Sequence, residues 1–260
     1  MAYTRVPQLR DSTITIRQTR TRDEVEAANW LVYRNYVAAG FWKPDLAAFH
    51  ANSYLRSPHR TIFVVTQAAR VLGTASIIKD SEQGLPSDAF QPEILRCFRK
   101  SNEVLGEISC LAMEKTAGQP RNLILFLIKY YLQYAYYYTD IERLIKACKP
   151  EHAEFYANVI RFQKLGQIVH CKYAQRPSQL LSMNLIEGHQ QLKDHYEWDG
   201  QPRNNLYRFL LCDTHASLIF PKAKKMRRSR LGEWSAHANS ERPILQFSPA
   251  SITRSIPAHA

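Results

Sequence analysis

The sequence predicts an α/β (α+β) domain in which helices flank a central mixed, largely antiparallel sheet. Three observations predict it. Short apolar or alternating runs interleave with helical stretches in the order β-α-β-β-(α)-β-α-β-α-β-β. Some of these runs are joined by short turns, as antiparallel neighbours are. Hydrophobic residues make up 45% and aromatic residues 11% of the 260, which supplies a sizeable core and argues against global disorder.

The elements follow in order. Residues 1–11 read as a flexible leader. Residues 12–19 (STITIRQT) alternate apolar and polar and read as a strand. Residues 22–40 read as a helix: Asp23 and Glu24 suit the positive end of its dipole, and Gly40 suits its exit. Residues 61–66 (TIFVVT) and 71–79 (VLGTASIIK) read as a hairpin. The GLP at 84–86 is a turn, and residues 91–100 form a short helix with Pro92 in its first turn. A strand follows at 104–113 (VLGEISCLAM), a long apolar helix at 120–138 and a buried strand at 143–148 (RLIKAC). Residues 149–166 (KPEHAEFYANVIRFQKLG) put a short helix before an apolar-and-glycine turn, and residues 162–173 and 179–185 close the sheet. The core is expected over 12–187. Residues 188–260 read as a partly disordered C-terminal extension, with a short apolar run at 206–211 and a basic cluster, KAKKMRRSR, at 222–230.

Composition narrows the partners. The net charge of +12, from 35 basic and 23 acidic residues, favours acidic partners. Cys97, Cys110, Cys148, Cys171 and Cys212 are odd in number and include no C-x-x-C pair, which argues against a disulfide framework or a zinc site. No metal is expected. The apolar run at 123–138 carries Lys129 and Gln133 and falls short of the ~20 residues a bilayer span needs. No signal-peptide pattern follows Met1, so a cytoplasmic protein is expected.

Four segments carry a family resemblance: LVYRNYVAAG at 31–40, GTASIIKDSEQGLPSD at 73–88, GEISCLAM at 106–113 and the KPEHAEFY segment. In this order and spacing they resemble the long-chain N-acyl amino acid synthases, a branch of the GNAT-like acyltransferase fold related to the acyl-homoserine lactone autoinducer synthases. The resemblance covers about 12–187. It implies a cytoplasmic enzyme that moves a fatty acyl group from the phosphopantetheine thioester of acyl carrier protein, an acidic partner, to the α-amine of an amino acid such as tyrosine. No tightly bound cofactor is implied, because the acyl-phosphopantetheine is itself the donor. The connection EKTAGQPR at 114–121, with Gly118 alone, is a poor pyrophosphate cradle and suits a pantetheine arm with a single phosphate.

Thioester aminolysis asks for a base, a stabilised carbonyl oxygen and an acid for the thiolate. Glu107 is the candidate base, since a carboxylate among Val104, Leu105, Ile108 and Leu111 has its pKa raised if it is buried. The alternatives are a solvated strand face or a structural pair with an arginine. Tyr156 is the candidate acid, or else an aromatic that packs helix on sheet. Arg34 is the candidate anchor for the acceptor carboxylate, with Arg60 as a substitute, and Tyr36 lies on the same helix. Ser109, Cys110, Leu111 and Met113 are the candidate substrate-binding residues of that strand, and Phe126 and Tyr130 the candidates for the wall of an acyl pocket; a plain core stripe is the other reading for the last two. Cys110 stands where the family usually has arginine.

Three readings of function compete. The first is N-acylation of an amino acid. The second is an acyl-homoserine lactone synthase, against which Asp45 lacks the acidic neighbour usual there. The third is a non-catalytic domain that binds acyl chains or nucleic acid. Nucleic acid is not expected as a partner on the first reading. The basic residues instead suit carrier docking and a weak contact with a membrane surface.

Overall fold

A computed structural model gives the arrangement; it describes residues 13–114, 123–171, 176–197, 205–211 and 244–246. Strand β1 (Ile14–Gln18) leads into α1 (Arg22–Ala38). Thr21 caps that helix by accepting the Glu24 N–H, and Glu24 in turn pairs with Arg17 of β1. Gly40 leaves the helix at φ +67°, the left-handed region that glycine adopts at little cost. A short helix, α2 (Leu46–Ala51), and a 3-10 turn (Ser53–Arg56) then cross to the sheet. Asp45 is spent as the cap of α2, accepting the Ala48 N–H.

The hairpin is β2 (Arg60–Gln67) and β3 (Arg70–Lys79), turned by Ala68 and Ala69 at φ 47° and 65°. A 3-10 turn at Pro86–Ala89 and helix α3 (Pro92–Lys100) precede β4 (Leu105–Met113). Then come α4 (Leu123–Tyr138), β5 (Arg143–Cys148), α5 (Pro150–Asn158), β6 (Gln163–Cys171) and β7 (Arg176–Asn184). Beyond the expected core lie α6 (Leu185–Glu197), α7 (Leu206–Leu211) and β8 (Ile244–Gln246).

The strands form one sheet in the order β6-β7-β5-β4-β3-β2-β1-β8, antiparallel throughout except for the parallel pair β4–β5. Helix α4 lies sealed on one face against Ile16, Phe63, Ile77 and Ile108. The other face carries α1 over Val64, Cys110 and Ala112, and α3 over Ile78, Leu105 and Ile145. The apolar residues Leu206, Tyr207, Phe209, Leu210 and Leu211 of α7 are buried in the same cluster as α4. Where it is described, the segment after residue 187 is therefore docked on the domain.

Candidate active site

The centre of the sheet opens where β4 and β5 part. Their parallel pairing runs only from Leu105–Arg143 to Ile108–Lys146. Just past it, the β3–β4 register slips: Ser76 faces Ser109, but Thr74 faces Ala112, so Cys110 and Leu111 stand opposite Ala75 alone. Cys110 takes φ 56°, an unusual conformation for a residue with a side chain. Such a bulge bends the strand away from its neighbour. Ser109 precedes it, its hydroxyl 3.6 Å from the Cys110 sulfur.

Glu107 sits two residues before the strands part and is 3% exposed. Its neighbours on that face are Ile78, Leu85, Leu105 and Ile145. Burial pushes its carboxyl up to about 7, against the pull of Ser87 and, more weakly, of the Lys146 charge. The Ser87 N–H donates to Oε2 at 2.8 Å. That amide is held in place by an ion cluster. Arg99 spans Asp80 (2.6 and 3.0 Å) and Asp88 (2.7 and 2.6 Å), and Asp88 accepts the Leu85 N–H at 2.8 Å. Burial alone would raise the Asp88 carboxyl, but Arg99 and the Leu85 amide outweigh it and hold it low. Gly84 turns the chain at φ +71°, where an added Cβ would fall 2.9 Å from Asp88 Oδ2.

Tyrosines and a lysine stand near the parted ends of these strands. Tyr156, 4% exposed, packs edge-on to Phe155 and Phe162. The Lys146 ammonium lies over its ring at 4.6 Å. Lys146 is 5% exposed and, among the described residues, has no carboxylate within ion-pair reach. Tyr36 is half-buried with its hydroxyl end enclosed. Burial raises that phenol, the Cys110 thiol and Tyr156 push the same way, and Arg60 and the Leu111 amide oppose them. Tyr131 faces Tyr156, yet its buried hydroxyl has no partner in hydrogen-bonding geometry; burial first, then Tyr156, raise it.

The remaining expected residues fall elsewhere. Phe126 is buried edge-on to Phe209 of α7, and Tyr130 edge-on to Phe63, so both are packed into the core. Leu111 and Met113 lie at the margin of the α4 cluster, and the Met113 thioether fills the space left by Gly73. Arg34 is exposed on α1, apart from the enclosed end of Tyr36. Of the connection at 114–121 only Glu114 is described, paired with Arg70; the rest, and the basic cluster at 222–230, lie outside the described residues.

Lys146, Ser87 and the Arg99 cluster were not foreseen. A lysine in the middle of the apolar strand RLIKAC is the signal that marks Lys146. Nothing in the sequence pairs Ser87 with Glu107, because that contact depends on how the GLPSD turn folds over β4. Among the described residues no group of three or more His, Cys, Asp or Glu side chains is placed to hold a metal ion, and no helix is long and apolar enough to cross a membrane.

Comparison with known proteins matches this arrangement. The chain matches the family model of the N-acyl amino acid synthase FeeM over residues 27–184. The solved structure of FeeM, an N-acyl amino acid synthase from uncultured soil microbes, superposes with a TM-score of 0.61 at 26% identity, covering 70% of this chain and 96% of that one. An N-acetyltransferase from Staphylococcus aureus Mu50 gives a TM-score of 0.45 at 14% identity, covering 66% of this chain and 98% of its own. No curated protein sequence matches the chain. The matched residues contain β2 to β7, the bulge at Cys110, Glu107 and Tyr156, and the sheet with its parted central strands is the GNAT-like acyltransferase fold. The chain is an N-acyltransferase and belongs to the family of the N-acyl amino acid synthase FeeM.

Proposed function

We propose that the enzyme moves a long-chain fatty acyl group from the thioester of acyl carrier protein to the α-amine of an amino acid, in the cytoplasm. The observation that carries this reading is Glu107, a buried carboxyl raised to about 7 beside the opening between β4 and β5. A base with that pKa is half ionised at neutral pH and suits removal of a proton from an ammonium. The amine attacks the thioester carbonyl carbon, a C–N bond forms and the C–S bond breaks. The amine proton passes to Glu107, and the departing thiolate takes a proton from Tyr156. Lys146, whose ammonium lies over the Tyr156 ring and whose charge acts on Glu107, supplies positive charge for the carbonyl oxygen as it becomes negative. The net charge of +12 supports an acidic carrier as donor. Asp45, already committed to capping α2, favours N-acylation over lactone synthesis.

The test is incubation with long-chain acyl carrier protein and a pool of amino acids, followed by mass spectrometry. N-acyl amino acids are expected, with acyl-CoA a poorer donor. A lactone formed from S-adenosylmethionine, or no acylated amine at all, would overturn the reading.

A further inference from the structure

Tyr131 of α4 is fully buried, and its hydroxyl has no partner in hydrogen-bonding geometry. Its neighbours one turn away, Leu127, Ile128 and Ala135, are fully buried too. A phenylalanine would fill the same place among them. Enclosing a hydroxyl without a partner opposes folding. Packing therefore does not account for this oxygen.

The oxygen faces Tyr156 of α5, which keeps the sliver of surface that Tyr131 lacks. Other groups meet there from three elements. Lys146 of β5 holds its ammonium over the Tyr156 ring at 4.6 Å. Cys148, two residues further along β5, acts on Tyr131; burial raises its thiol, which stays protonated and uncharged at neutral pH. Tyr36 of α1 lies within electrostatic reach of Tyr156 and is itself a neutral phenol, raised by burial. Phe155 and Phe162 add apolar rings. Tyr131 is raised well beyond the ordinary phenol range, by burial first and then by Tyr156, so it remains an O–H donor throughout.

A neutral Tyr156 makes no demand on that donor, and none is met in the resting molecule. A Tyr156 that has given up its proton does. A phenolate in an apolar enclosure draws any O–H pointed at it into a charge-assisted hydrogen bond. A donor held ready where charge develops needs no rearrangement at the moment of reaction.

We infer that Tyr131 is a positioning residue for the acid: its hydroxyl waits without a partner and donates to the Tyr156 oxygen as that oxygen becomes a phenolate. This inference rests on the proposed role of Tyr156. As the C–S bond breaks, the electron pair stays on sulfur and the proton moves from Tyr156 to it. Tyr131 shares its own proton without losing it, and Tyr156 regains one from water.

The test is a double-mutant cycle on acyl transfer with Tyr131→Phe, Tyr156→Phe and the two combined. Tyr131→Phe should lower kcat about fivefold with KM unchanged. Its melting midpoint should be no lower than that of the wild type, because only an unpartnered hydroxyl is lost. On the Tyr156→Phe background the same change should cost nothing further. A full rate in Tyr131→Phe beside a slow Tyr156→Phe overturns the inference, as do losses that multiply in the double variant. Full rates in both single variants remove Tyr156 as the acid and Tyr131 with it. If the wild type transfers no acyl group, the proposed reaction fails on its own, and a difluorinated tyrosine in place of Tyr156 decides the pairing without turnover. Its ionisation, followed by fluorine NMR, should need a pH higher by about one unit or more in Tyr131→Phe. An unmoved inflection overturns the inference.

Discussion

Two arginines on the same side of the sheet have opposite surroundings. Arg99 makes four hydrogen bonds to two carboxylates, and the pair of aspartates raises its pKa further. Arg60 makes three, all to neutral oxygens, and keeps one buried nitrogen unpaired beside a cavity. The first site is complete and clamps a turn onto Glu107. The second keeps a nitrogen with no partner. Charge satisfaction thus separates the arginine that fixes the turn over Glu107 from the arginine that borders an open pocket, although both use the same side chain.

The largest expected effect lies at Glu107, which the turn held by Arg99 contacts. Glu107→Gln should lower turnover at pH 7 by about two orders of magnitude or more. In the wild type, kcat/KM for the acceptor should rise with pH through an inflection near 7, and the variant should lose that inflection. Stability should move the other way. The carboxyl titrates at about 7 in the folded chain, above its ordinary value of 4.5, so the stability from its protonated form is full below about pH 4.5 and is lost as pH rises through 7. The difference corresponds to about 3 kcal/mol. Thermal melts should show Glu107→Gln more stable than wild type at pH 8 and not at pH 4.5.

The closed region can be broken at Asp88. Asp88→Asn removes one carboxylate from the Arg99 cluster and should cost about 2 kcal/mol of stability, read by urea unfolding. The Asp88 charge also raises Glu107, so the pH–rate inflection should move below 7. An unmoved inflection would show that the clamp does not set the base. On the α4 side of the sheet, Tyr156→Phe keeps the ring under Lys146 and removes only the hydroxyl. About a tenfold loss of turnover with an unchanged melting midpoint is expected if the hydroxyl delivers a proton; a full rate would leave Tyr156 to packing alone. The smallest effect belongs to a third arginine. Arg34 is exposed, and Arg34→Ala should change kcat/KM less than twofold. A large loss there would support Arg34 as the anchor of the acceptor carboxylate.

Much of this fold was legible because periodicity reports burial. The alternation in ITIRQ and the apolar run in RLIKAC become β1 and β5 where they were expected, and Pro92 and Pro150 open α3 and α5. Helix α2 was missed because six residues carry too little pattern to stand out from a loop. The site was legible only in part. Glu107 reads as buried because its neighbours are apolar, and Tyr156 was found on the helix that follows β5. The bulge at Cys110 leaves no sequence signal, since it arises from the mismatch between two strands. A motif pointed to Arg34, and sequence alone does not tell that it is exposed on α1 while Arg60 is partly enclosed. Phe126 and Tyr130 look alike whether they line a pocket or fill a core; contacts with Phe209 and Phe63 are what distinguish the two.

The docking of α7 on α4 has a practical consequence. The match to the family model ends at residue 184, yet Leu206, Phe209 and Leu210 cover part of the helix at the centre of the domain. A chain shortened to the homologous segment would bare that apolar surface to water, and such surfaces drive molecules to stick to one another. Where shared ancestry stops is therefore not where the folding unit stops.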